Sequence, residues 1–447
     1  MADAKRMAHL GVWLLSTGHN IASWRHPASD PAGVMRIDHY IEATKIAARG
    51  KLDMIFFEDT LAARERNGGI FGEVTINSLD PMVIIAALAT ATKDIGLAAS
   101  YSSTYHDPYL LASKIASIDH LSKGRAAWNV VTTDASAGRN FSAEGHPDKD
   151  LRYATARETV DIVRALWDSW PDGATLADKR TGTFYDPARV RRIDFKGRWN
   201  NVRGPLNLPR PPQGWPVFIQ AGMSETGTDF AAYFAEVIFS QAATKEQGQK
   251  FRTMMREKAR GYGRDPDTIK TMPGFVPIVA STDREAREKE EYYAELVHPN
   301  IQMGLLSERF SMDFSVFRMD APFPMAEVLE SLEKDTRPNV GGDRRKHLVN
   351  IRPEETLRDY CKRMTRRTYS HVHCVGGPET IADFIGEWIG EGACDGFNLL
   401  PWQFPLELEV FVDQVVPILQ KRGLFRQDYR GGTLRDHFGL ARPTGRA

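Results

Sequence analysis

His9-Leu10-Gly11-Val12-Trp13-Leu14-Leu15 is a short apolar run that passes straight into Ser16-Thr17-Gly18-His19, with no glycine-rich turn behind it. A doubly wound open sheet that binds a dinucleotide usually carries a G-x-G-x-x-G loop there, because its backbone must approach the pyrophosphate closely. The run therefore reads as the first strand of a different parallel architecture. Seven similar runs follow: Met54-Ile55-Phe56-Phe57-Glu58-Asp59, Ile95-Gly96-Leu97-Ala98-Ala99-Ser100, residues 126–131, Pro216-Val217-Phe218-Ile219-Gln220-Ala221, Val237-Ile238-Phe239-Ser240, Phe275-Val276-Pro277-Ile278-Val279-Ala280 and Asp395-Gly396-Phe397-Asn398-Leu399-Leu400. Segments with apolar residues at helical spacing separate them, among them residues 36–49, 108–121 and 153–170. Asp80-Pro81 marks one such start, as a cap followed by proline in the first turn.

Eight strand-plus-helix repeats predict an α/β fold of the TIM (β/α)8 barrel type. The chain has 447 residues, whereas a plain barrel needs about 250, so insertions are expected. Two Gly/Pro-rich or irregular passages supply them, residues 171–212 after strand 4 and 282–353 after strand 7. The division expected is a barrel over residues 1–422 and a C-terminal arm over 423–447.

Lysine plus arginine number 58, as do aspartate plus glutamate. That balance gives no field to gather nucleic acid or an anionic membrane. The longest apolar stretch, residues 83–89, is far below the roughly 20 residues of a membrane span, and the first 15 residues do not read as a signal peptide. Cys361, Cys374 and Cys394 form no CxxC pair, which fits buried thiols in a reducing, cytoplasmic setting. His371 and His373 alternate as in a strand and are weak evidence for a metal without further ligands, so no metal is expected.

In a barrel the chemistry sits where the strands end. Thr17 and His19, Glu58 and Asp59, residues 102–104, 129–133, 220–224 and 398–402 occupy those places. Polar groups around an apolar mouth suit a bound cofactor. In Gln220-Ala221-Gly222-Met223-Ser224-Glu225 a strand ends, a glycine permits close approach, and a helix begins. Such a helix start attracts phosphate through its free N–H groups and dipole; Ser224 reads equally as a plain helix cap.

Asp119-His120-Leu121-Ser122-Lys123-Gly124-Arg125-Ala126-Ala127-Trp128-Asn129-Val130-Val131-Thr132-Thr133 resembles a hallmark of the bacterial-luciferase-like flavin monooxygenases. The resemblance is greatest to the group of nitrilotriacetate, EDTA, dibenzothiophene-sulfone, dimethyl-sulfide and long-chain-alkane monooxygenases. It extends over nearly the whole chain through Gly18-His19, Trp24-Arg25-His26-Pro27, Phe56-Phe57-Glu58-Asp59, residues 102–109, Arg152-Tyr153, residues 220–224 and Asp395-Gly396-Phe397-Asn398-Leu399.

The resemblance implies a barrel holding FMN across its mouth, with Asp59 and Thr104 at the flavin ring, Tyr153 and Ser224 at the phosphate, and the backbone of Met223 and Glu225 assisting. It implies reduced FMN (FMNH2) supplied by a separate flavin reductase, O2 activated as a peroxide at flavin C4a, and oxidation of a small organic substrate by an enzyme that is a homodimer or homotetramer. Many relatives carry a histidine four residues before the tyrosine, where this chain has Lys149; a lysine can meet phosphate, but the histidine's proton chemistry does not transfer. His19 is the expected acid/base or oxygen-side contact, with Trp24 and Phe57 as substrate walls, although ordinary packing accounts for both aromatics as well. Residues 171–212 and 282–353 are candidate lids that exclude water, and Arg25, Arg64, Arg66 and Lys149 could favour an anionic substrate, although arginines on loops are usually just solvated. The alternatives are a barrel that transfers hydride with a flavin or deazaflavin without using O2, and a flavin-binding protein without turnover.

Overall fold

Most residues on both faces of the main sheet's strands are buried and apolar, as in a parallel sheet covered by helices. The computed structural model describes residues 6–445 apart from 64, 67–68, 71, 73–78, 134, 142–144, 335–343, 350 and 366–370. Its principal strands are β1 (His9–Trp13), β2 (Met54–Phe57), β3 (Gly96–Ser102), β4 (Ala126–Val131), β5 (Val217–Gln220), β6 (Val237–Ser240), β7 (Lys270–Val279), β8 (Val372–Gly376) and β9 (Gly396–Leu399). Parallel pairings run from β1 through β2, β3, β4, β5, β6 and β7 to β9 and back to β1, which closes an eight-stranded ring. The eight apolar runs of the sequence are the eight strands of this TIM barrel. β8 lies outside the ring and pairs with the carboxyl half of β7; its period-2 histidines were its only sign in the sequence.

Alternation divides the strands cleanly. Met54, Phe56, Ala98, Ala127, Val217, Ile219, Val237 and Met272 pack together in the barrel interior. Ile55, Phe57, Leu97, Trp128, Phe218 and Ile238 face outward into the layer shared with the helices. Local signals read in the sequence set the helix starts: Asp80 accepts from the backbone N–H groups of Met82 and Val83, with Pro81 in the first turn.

The connection after β4 differs from the lid expected of it. The helix Lys149–Trp167 carries the chain from the mouth to the opposite end of the barrel, and residues 171–212 pack there: Trp170 donates to the Leu206 carbonyl, and Arg210 pairs with Asp168 at 3.1 Å. A segment that leaves at the foot of that helix and returns to the start of β5 stays on the amino-terminal side. The C-terminal arm, residues 423–447, packs on the barrel over its described part. Leu434, Phe438 and Leu440 join the interior cluster, and buried Arg435 forks onto Glu236 at 2.8 and 3.0 Å while donating to the Trp215 carbonyl. The tail closes the amino-terminal end of the cylinder; its few apolar residues, scattered among glycines and arginines, concealed this in the sequence.

The connection after β7 lies on the carboxyl side. Helix Asp283–Leu296 packs Tyr293 against Val276, Ile278 and Trp402, and helices Pro299–Phe310, Met325–Lys334 and Leu357–Thr365 build a satellite core around Phe310, Phe314, Phe323 and Tyr360. It meets the loop after β1, where Ala22 packs on Val297 and Ile301. No helix among the described residues is long and apolar enough to cross a membrane.

Candidate active site at the barrel mouth

At the carboxyl ends of the strands lies a cavity of about 290 Å3, walled by Trp13, Phe56 and Phe239 and edged by Asp59, Ser100, Asn129 and Thr133. The three aromatics hold one another edge-on or stacked, Trp13 on Phe239 at 5.5 Å and on Phe56 at 5.9 Å. Several polar atoms in or beside this cavity are buried without a hydrogen-bond partner: Trp13 Nε1, Asp59 Oδ2, Asn129 Oδ1 and, beyond Phe239, His371 Nδ1. Orphaned buried groups are costly and rare in native proteins. Their concentration at one mouth marks a place built to receive a polar ligand.

Asp59 follows β2 on a half-buried turn. Burial, and then the neighbouring Asp80 carboxylate, push its pKa up to about 7, so near neutrality it both donates and accepts. Thr104 follows β3, its hydroxyl donating to the Thr132 carbonyl at 2.9 Å, which leaves its oxygen as an acceptor. Arg152 braces the same loop by donating to the Thr132 and Thr133 carbonyls.

His19 lies in the loop after β1. Its main chain is anchored to the Pro401 carbonyl at 2.9 Å, and Gly18, at φ 141°, sits where a Cβ would strike the Trp402 carbonyl. The ring meets Trp13 edge-on at 4.7 Å. Nε2 is 2.8 Å from the Trp13 carbonyl; a carbonyl only accepts, so Nε2 carries the proton and Nδ1 is the lone pair. Burial holds the pKa at about 3, against the opposing Trp13 hydrogen bond and with help from nearby His371. His19 is thus a neutral acceptor across ordinary pH and not a cationic acid. His371, which the sequence offered only as weak metal evidence, is a second neutral imidazole, its pKa lowered by burial to about 4, and it lies 5.7 Å from the Phe239 ring. Among the described residues no group of three or more His, Cys, Asp or Glu side chains is arranged to hold a metal.

Beyond β5 the helix Glu225–Phe234 begins. Ser224 is its N-cap, accepting from the Gly227 N–H at 3.2 Å, and the first-turn N–H groups have no intrahelical acceptor. Gly222 and Gly227 face one another: a Cβ on Gly227 would lie 2.9 Å from the Tyr153 hydroxyl, and one on Gly222 3.1 Å from it. Two glycines, a tyrosine hydroxyl, a serine and a helix start therefore meet in one place, with the Gln220 side chain accepting from the Gly222 N–H at 2.6 Å alongside them. Met223 and Glu225 are exposed at the rim, so only their backbone is aimed inward by the turn. Lys149, also exposed, opens the helix that carries Tyr153 and shares a face with it at i,i+4.

Two expected walls are placed elsewhere. Phe57 is 2 % exposed and packs outward, 5.9 Å from Tyr40; the adjacent Phe56 faces the cavity instead. Trp24 is half-buried in the short turn Ser23–Arg25 and is absent from the cavity wall. Arg25 is committed to the Leu296 carbonyl, while Arg64 and the side chain of Arg66 lie outside the described residues. Trp13, Phe56 and Phe239 were missed because they precede the ends of their runs, where attention to loop residues passes over them.

The family model described as luciferase-like monooxygenase matches residues 17–393. The chain is 42 % identical to N-acetyl-S-(2-succino)cysteine monooxygenase of Bacillus subtilis (strain 168), covering 100 % of this chain and 99 % of the relative. It is 38 % identical to nitrilotriacetate monooxygenase component A of Aminobacter aminovorans, covering 98 % of each. Among solved structures, riboflavin lyase with modified FMN and riboflavin superposes with a TM-score of 0.83 at 29 % identity, over 97 % of this chain and 96 % of that one.

Proposed function

From the premise that this chain belongs to the luciferase-like monooxygenase family, we propose that it is the oxygenase of a two-component system. In this reading a separate reductase provides reduced FMN, and the chain uses it with O2 to oxidise a small organic molecule. The observation that carries the proposal is the convergence of Gly222, Ser224, Gly227 and the Tyr153 hydroxyl on one helix start beside an aromatic cavity with orphaned polar edges. That pairing suits a molecule with a phosphate at one end and a flat hydrogen-bonding ring at the other.

Tyr153, Ser224 and the free N–H groups at the start of helix Glu225–Phe234 would hold the phosphate, with the Met223 and Glu225 backbone completing the turn. Lys149 adds a charge on the same side in place of a histidine. Asp59 and Thr104 would meet the ring's N–H and carbonyl edge, Thr104 as acceptor only. Reduced FMN, when bound, supplies the electrons that activate O2. The chain's part is to exclude water with Trp13, Phe56 and Phe239, and to present the His19 Nδ1 lone pair to a substrate proton. The helices after β7, packed on the loop after β1, stand where a cover over the site is needed.

The two relatives compared above act, by their names, on carboxylated molecules bearing a C–S or C–N bond. A carboxylated thioether or tertiary amine is accordingly the first substrate class to examine. The decisive assay supplies a flavin reductase, NADH, FMN and O2 with N-acetyl-S-(2-succino)cysteine, nitrilotriacetate, sulfones and alkanes in turn. Product that depends on O2 supports the reading; equal turnover without air, or flavin binding with no product anywhere in the panel, overturns it. In parallel, Ser224→Glu places a carboxylate at this helix start and is expected to abolish FMN binding measured by fluorescence titration. Retained tight binding would refute the phosphate assignment.

A further inference from the structure

β8 stands outside the ring, yet the residue before it reaches the mouth. Its pairing with β7 begins at Phe275 opposite Val372, which brings His371 beside Gly274. Gly274 alternates with Met272 of the interior cluster and so points inward, and a Cβ on it would lie 2.5 Å from His371 Nδ1. Glycine leaves that inward place empty, and the imidazole takes it. The ring is half-buried, 5.7 Å from Phe239 in the wall of the mouth cavity, and near enough to His19 to help depress its pKa.

The two histidines differ in what holds them. His19 has given its Nε2–H to the Trp13 carbonyl and offers only a lone pair. His371 Nδ1 is buried without a partner, no hydrogen bond from a described residue fixes the tautomer, and burial keeps the ring neutral, its pKa lowered to about 4. A neutral imidazole always carries one N–H, so a bound acceptor selects which nitrogen donates. Trp13, 5.5 Å from the same Phe239, holds a second buried donor without a partner, its indole N–H. Described cations of the neighbouring loops are committed elsewhere: Arg25 to the Leu296 carbonyl, Arg152 to the Thr132 and Thr133 carbonyls, and Lys289 to Glu407. Two neutral donors beside an apolar wall suit an anionic oxygen, and a substrate without one leaves both unpaired. We propose that His371 is a specificity-determining substrate contact, donating together with Trp13 to a carboxylate of the substrate; the assignment rests on the oxygenase reading above.

The test uses the full chain with flavin reductase, NADH, FMN and O2, and compares N-acetyl-S-(2-succino)cysteine and nitrilotriacetate with their methyl esters. The parent should favour the acids. His371→Phe keeps a ring on Phe239 without a donor and should raise KM for the acids roughly tenfold, with kcat, FMN affinity and KM for the esters unchanged. His371→Asn and His371→Gln place an amide N–H near Nδ1 and Nε2 respectively, and one of the two should recover most of the loss. A crystal of the parent soaked with the acid should place a carboxylate oxygen within hydrogen-bond distance of the His371 ring, a readout that holds even where His371→Phe fails to fold. Equal KM for acid and ester in the parent, an unmoved KM in folded His371→Phe, an equal rise for the esters, no recovery in either amide variant, or a carboxylate bound elsewhere would each overturn the assignment. If the parent oxidises only sulfones or alkanes, the role of His371 fails while the oxygenase reading stands; if it oxidises nothing with O2, that reading fails and takes the assignment with it.

Discussion

Asp59 joins burial to an unpaired oxygen at the place where a ring is expected to bind. Its pKa of about 7 lies above the usual 3.8, with burial the main cause and Asp80 the second. The folded state therefore keeps a proton that the unfolded chain loses, and this group's contribution to stability falls as pH rises from about 4 to about 7. Asp59→Asn removes that dependence. The melting temperature of the variant relative to the parent should be greater at pH 8 than at pH 5, and a constant difference would show that the group does not titrate in this range. His19 illustrates the opposite limit. The sequence could offer a histidine at a strand end, but only the fold shows that its Nε2 is spent on the Trp13 carbonyl, leaving an acceptor where an acid was also conceivable.

Strand β2 shows why residue-level reading stops short of the element. Met54-Ile55-Phe56-Phe57 is buried on both faces, so no polar alternation tells which phenylalanine looks inward. Hydrogen-bond register decides it, and register is a property of the pairing of β2 with β1 and β3. Phe57→Leu should cost about 1–3 kcal/mol in chemical denaturation while kcat and KM stay within error of the parent. A kinetic change at full stability would restore Phe57 to the site. At the helix Lys149–Trp167 the spacing was legible: Lys149 and Tyr153 are one turn apart on one face. Lys149→Ala should weaken FMN binding several-fold in low salt and much less in high salt, since an exposed cation acts through a screened field; equal loss at both would point to a packed role instead. The helix start at Ser224 was readable from Gly222 and the capping serine, but the second glycine at 227 and the approach of the Tyr153 hydroxyl required the fold, because they join separate elements.

For the whole molecule, the eight apolar runs and their order sufficed to give the ring. The disposition of what surrounds it was not legible. Residues 171–212 and the tail carry few apolar residues in any periodic pattern, and long-range ion pairs fix them: Arg442 and Arg210 both reach Asp172, and Arg435 reaches Glu236. With its side chain 2 % exposed, Arg435 cannot be removed cheaply. Arg435→Met strands a mostly buried carboxylate and should lower unfolding free energy by about 3–5 kcal/mol, read from denaturant titration; a loss below 1 kcal/mol would mean that water reaches Glu236. Because Leu434, Phe438 and Leu440 seal the base of the cylinder, a segment synthesised after all eight ring strands completes the core they begin. Until synthesis has passed that point, the nascent barrel stands open underneath, and its apolar lumen is wetted or must be guarded by a chaperone.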